Sequence, residues 1–130
     1  MFEGFAQVWT PVALAAQLRG GAPLALQVAG TPLVLFRDAA GKPAALVDRC
    51  PHRGVALSLG KVKEGCIECP FHGWRLDGHG QVCEVPWNPE AKLDTLRGVP
   101  VPARELAGQI WIYTAPGEEA PTEPAVLERA

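Results

Sequence analysis

The stretch Cys50-Pro51-His52-Arg53-Gly54 is answered, with sixteen residues intervening after His52, by Cys69-Pro70-Phe71-His72-Gly73-Trp74. The first half-motif is Cys-x-His and the second Cys-x-x-His, so together they bring two soft thiolates and two imidazoles, a donor set suited to a transition metal. Pro51 and Pro70 stiffen the two loops, while Gly54 and Gly73 let the backbone come close to a ligand. Backbone N–H groups in such tight loops can point at bridging sulfides.

Each half-motif pairs unlike ligands, and that bears on the choice of metal. In a 2Fe-2S centre of the Rieske type, two His replace two Cys on one of the irons. Two similar loops can then give both thiolates to one iron and both imidazoles to the other. Structural zinc also takes two Cys and two His, but its usual spacing pairs like ligands locally. Plain burial is a third reading, because Cys and His are common core residues and the chain has four Cys and three His to place. The residues alone leave these readings open, with the spacing favouring iron-sulfur.

From about Trp9 to Tyr113 the chain resembles the Rieske iron-sulfur family. The likeness rests on the run from Cys50 to Gly60 and the run from Cys69 to Gly80. It is nearest to the N-terminal Rieske domain of non-haem iron ring-hydroxylating oxygenases and to Rieske ferredoxins. The resemblance implies an all-β Rieske domain of antiparallel sheets with a two-loop cluster-binding subdomain. It implies one Rieske-type 2Fe-2S cluster per chain, with Cys50 and Cys69 on one iron and His52 and His72 on the other, partly exposed iron. High-potential Rieske proteins of the respiratory and photosynthetic complexes carry an extra Cys in each loop. Val55 and Phe71 stand in those places here. Trp74 and Leu76 stand where that class has a Ser and a Tyr that donate hydrogen bonds to the cluster. With fewer such bonds the reduced state is less stabilised, and a potential near the low end of the Rieske range is expected, roughly −150 mV.

The chain of 130 residues, 48% hydrophobic, 20% charged and of net charge −2, fits one domain with a real core. It carries neither the basic footprint of a nucleic-acid binder nor the composition of a disordered chain. The first ten residues show no basic n-region, long apolar run or twin-Arg pair. No apolar run reaches the 18 or so residues of a spanning helix. The expectation is a cytoplasmic protein without membrane or nucleic-acid partners.

Turn signals divide the rest into short strands. Thr10 and Pro11 suggest an N-cap and first turn, predicting a short N-terminal helix that Gly20 and Gly21 end. Strands are expected over 23–29, 33–37 and 44–48, on either side of the second loop, over 81–85, and in a closing hairpin, 99–105 and 109–113, turning at Ala107 and Gly108. The segment 87–98 reads as a crossing loop. Residues 1–113 therefore form the domain, and 114–130, rich in Pro, Ala and Glu, read as a disordered tail. Cys66 and Cys83 read as small core hydrophobes, and His79 as a solvated turn residue. Trp74 is placed to shield the cluster, and Trp9 and Trp111 to pack in the core or at an edge. A role for Trp87 near the cluster, or for Arg53 and Arg75 as docking or tuning charges, is a weaker expectation.

Two His go to the cluster, so only His79 remains and the two-His-one-carboxylate iron of the oxygenases cannot be built from these residues. No catalytic residue is assigned. The expected function is one-electron transfer from a flavin-dependent reductase to an oxygenase or another acceptor. The alternatives are the Rieske component of a split or shortened oxygenase and, more distantly, a structural zinc module.

Overall fold

The computed structural model describes residues 8–18, 22–51, 54–70, 73–84 and 98–115, with only the backbone of 83 and 84. Among these residues lie eleven strands in three antiparallel sheets. The all-β class expected from the sequence is the one observed.

The central sheet explains the architecture. It is ordered β2 (Leu24–Val28), β3 (Thr31–Arg37), β4 (Pro43–Val47) and β9 (Pro100–Val101). Leu33, Val34, Leu35 and Phe36 are all fully buried, as a strand covered on both faces must be. Side chains alternate across a strand, so this run feeds two cores. Val34 and Phe36, with Ala44 and Leu46 of β4, pack in a cluster that also holds Cys50, Leu57, Ile67, Cys69, Trp74, Leu76 and Val82. Leu33, Leu35 and Ala45 pack on the other side with Leu18, Val28, Val101, Ala103, Ile110 and Ile112.

The second core is closed by a sheet of β1 (Trp9–Leu14), β11 (Gln109–Tyr113) and β10 (Ala103–Leu106). Here the structure corrects one expectation. The predicted N-terminal helix is a strand through Leu14, followed by a single 3₁₀ turn, Ala15–Gln17. Trp9 pairs with Tyr113 and Leu14 with Gln109, with a bulge between Pro11 and Ala13. As an edge strand β1 tolerates Pro11, and long-range pairing outweighs the local helix signals. The rings of Trp9 and Tyr113 meet edge to face at 5.5 Å. Thr114 is buried, and its Oγ1 accepts from the Val8 N–H at 3.0 Å. At the far end of β3, Arg37 donates to the carbonyls of Leu18, Ala15 and Gly41, each at 3.2 Å, and pairs with Glu105. That guanidinium fastens the central sheet to the β1-β11-β10 sheet.

The first core is closed by β5 (Lys61–Lys63), β6 (Cys66–Glu68), β7 (Arg75–Leu76) and β8 (Val82–Glu84), paired in that order. Two hairpins of this half of the molecule share one design. Asp38 and Asp77 each accept, through Oδ1, from the N–H groups two and four residues on, at 2.8–3.0 Å. His79 is exposed in the second of these turns, as expected. Cys66 is half-buried at the start of β6, less enclosed than a core cysteine. The crossing loop over 87–97, Trp87, the Cys83 side chain and the tail from residue 116 lie outside the described residues.

Candidate metal centre

Strand β4 delivers the first loop. Alternation along it sends Ala44 and Leu46 into the first core, and the same side is reached by Cys50 a few residues later. The Cys50 N–H then donates to the Val55 carbonyl at 2.7 Å, and the Gly54 N–H donates to the Cys50 carbonyl at 2.8 Å. In the second loop, between β6 and β7, the Cys69 N–H donates to the Trp74 carbonyl at 2.6 Å, and the Gly73 N–H to the Cys69 carbonyl at 3.2 Å.

These are the same turn built twice. In each, the cysteine donates to the residue five on and accepts from a glycine four on. Gly54 has φ +74° and Gly73 φ +70°, a left-handed conformation that side chains with a Cβ rarely adopt. The shared Cys-to-Gly spacing of four follows from the turn, with a Pro directly after each Cys.

Cys50 and Cys69 are only 1% and 2% exposed and lie in one buried cluster, walled by Leu57, Ile67, Leu76 and Trp74. Trp74 is 6% exposed, where shielding of the thiols was expected. Val55 packs against the same cluster, and Leu76 is fully buried, so neither of these positions offers a hydroxyl. Two buried thiols in one apolar cluster, on turns of the same design, fit a metal cluster bridged by soft ligands better than ordinary core packing. Among the described residues no three His, Cys, Asp or Glu side chains converge on one point. His52 and His72, with Arg53 and Phe71, lie outside the described residues.

Side chains brace both loops. Asp48, just after β4, accepts from the Ser58 N–H at 2.8 Å and from Ser58 Oγ at 2.6 Å. Glu68 immediately precedes Cys69 and accepts from Arg75 Nε at 3.0 Å, with Lys63 Nζ 3.7 Å away. Lys61, Glu68 and Arg75 stand in register across β5, β6 and β7. Burial acts to raise the Glu68 pKa, but the Arg75 hydrogen bond and the charges of Lys63, Arg75 and Lys61 outweigh it and hold the carboxyl below its ordinary value. Sequence reading missed Asp48, Ser58 and Glu68. Their one signal was adjacency to the ligand motifs.

A sequence model of the Rieske [2Fe-2S] domain matches residues 8–102. The chain belongs to the Rieske [2Fe-2S] domain family. Membership implies a Rieske-type 2Fe-2S cluster. The Rieske chain is 37% identical over 121 residues to chlorophyllide a oxygenase of Chlamydomonas reinhardtii, covering 93% of itself and 18% of that protein. It is 35% identical to the 3-chlorobenzoate-3,4-dioxygenase oxygenase subunit of Comamonas testosteroni, covering 91% of itself and 28% of the relative. The crystal structure of apo dicamba monooxygenase superposes with a TM-score of 0.80 at 36% identity, over 85% of this chain and 34% of that one. The Rieske chain thus spans between 18% and 34% of the length of these relatives. Among the described residues, no helix is long and apolar enough to cross a membrane.

Proposed function

We propose that this chain is a one-electron carrier whose Rieske cluster is held by Cys50, His52, Cys69 and His72. The observation that carries the reading is the duplicated turn, which presents Cys50 and Cys69 identically and buries both thiols in one apolar cluster. On this reading the two cysteines bind the inner iron and the two histidines bind the outer one. When bound, the cluster supplies reversible storage of a single electron.

The protein's own residues set the terms of that exchange. Trp74, Leu57, Ile67 and Leu76 exclude water from the thiolates, and Val55, Trp74 and Leu76 present no side-chain hydroxyl to them. Both features favour a low potential. The imidazoles, as the outermost ligands, offer the shortest route to a docked partner. On this reading the chain passes electrons and makes no bonds itself; the one imidazole left over, His79, is exposed in a turn. The electron donor is a flavin-dependent reductase and the acceptor an oxygenase-type centre.

A second reading is favoured by the relatives, which are oxygenases and an oxygenase subunit. In it the chain is the Rieske component of such an enzyme, with the catalytic iron on polypeptide beyond these 130 residues. Both readings require the same cluster and ligands. Anaerobic reductive titration should consume one electron per chain, and His72→Cys should move the spectrum toward an all-thiolate cluster or abolish it. Stoichiometric zinc with no visible absorption would overturn both readings in favour of a structural module.

A further inference from the structure

The first ligand loop is closed a second time, outside its backbone turn. Asp48 lies two residues before Cys50, and Ser58 three residues after Val55. The Asp48 carboxylate takes both the N–H and the hydroxyl of Ser58, at 2.8 and 2.6 Å. Everything between them, including Cys50 and His52, is therefore a loop tied at its base.

Both ends of the tie are themselves fixed. The Asp48 N–H donates to the Pro32 carbonyl at 3.0 Å, which anchors the residue to the central sheet. Ser58 sits in a 3₁₀ turn, Leu57–Leu59, whose Leu57 is fully buried in the core that holds both cysteines. The turn's own N-cap position is Ala56, which has no side-chain oxygen to offer, and no local side chain caps it. Asp48 supplies the missing acceptor from ten residues away.

An ordinary surface ion pair would contribute little. This contact differs in two respects. Asp48 and Ser58 are half-buried, and one carboxylate accepts two bonds, which fixes its orientation as well as its distance.

We propose that Asp48 is a positioning residue for the cluster, holding the first ligand loop through Ser58 so that Cys50 and His52 are presented in fixed geometry. The inference rests on the ligand assignment proposed above. That loop gives one ligand to each iron. Loosening it would disturb both irons at once, unlike the loss of a packing contact elsewhere.

The test compares chelator-driven cluster loss and the electron paramagnetic resonance line shape of the holoprotein, well below its melting temperature. Asp48→Ala should lose its cluster about tenfold faster than wild type and show a broadened signal. Ser58→Ala should fall between, whereas Ser58→Thr and Asp48→Asn, which keep an acceptor and a donor, should stay within about threefold of wild type. Arg37→Ala serves as the control. It breaks contacts at the opposite end of β3 and should lower stability without changing the line shape. If Asp48→Ala purifies without a cluster, the contrast between Ser58→Ala and Ser58→Thr decides the matter. Cluster loss and line shape in Asp48→Ala equal to wild type, or changes equal to those of Arg37→Ala, would overturn the inference while leaving the cluster assignment intact. A wild-type protein with no Rieske-type signal would overturn that assignment and this inference together.

Discussion

Glu68 stands one residue before Cys69 with Arg75 bonded to it and two lysines in reach. Burial alone would raise its pKa, yet the cations outweigh burial and the net shift is downward from 4.5. A carboxyl with a depressed folded-state pKa adds stability above its unfolded value and loses it as pH falls through the folded value. Glu68→Gln should therefore flatten the pH dependence of urea unfolding below about pH 4.5, with little change in slope near neutrality. An unchanged acid slope would show that the pairing is too solvent-screened to matter. At the cluster, the residues standing in for the hydrogen-bonding Ser and Tyr of high-potential Rieske proteins are Trp74 and Leu76, and both are buried. Potentiometry should place the midpoint roughly at −150 mV, the low end of the Rieske range.

At the level of elements, the ligand loops were legible because their chemistry is written locally. Pro one residue and Gly four residues after each Cys specify one tight turn, and the structure forms it twice. The closing hairpin at Ala107 and Gly108 was legible for the same reason. The first strand was not. Thr10 and Pro11 carry local helix signals, and nothing near them announces a pairing with residues 109–113 across a hundred positions. The strand Lys61–Lys63 was also missed, because a run of three residues is too short for its Lys-Val-Lys alternation to stand out and its turn is Glu64-Gly65 rather than Asn-Gly. The Asp48–Ser58 tie spans ten residues with no recognisable motif. Non-glycine residues at positive φ reveal a further cost. Ala107 sits at φ +55° ahead of Gly108 at φ +76°, a pair of left-handed residues that favours Asn first. Ala107→Asn should stabilise the protein by about 0.5–1 kcal/mol in chemical denaturation, since Asn tolerates this region better than Ala.

Across the whole molecule, one strand serves two cores. Val34 and Phe36 face the cysteines, while Leu33 and Leu35 face the opposite sheet. Damage on either side should therefore be felt on both. Leu35→Ala, far from the ligand loops in sequence and on the other face of the sheet, should cost about 2–5 kcal/mol. Loss of cluster absorbance and of tryptophan fluorescence should stay coincident in urea for both wild type and variant. Separate transitions would mean that the cluster-binding half folds independently. The account's central claim, however, is that the duplicated turn holds a Rieske centre that moves single electrons. The most direct test is a redox titration of anaerobically purified protein followed optically and by electron paramagnetic resonance, with iron, zinc and sulfide counted on the same sample. The account predicts two irons and two sulfides per chain and a Rieske-type signal that appears with one electron at low potential. A colourless protein carrying one zinc per chain would contradict it.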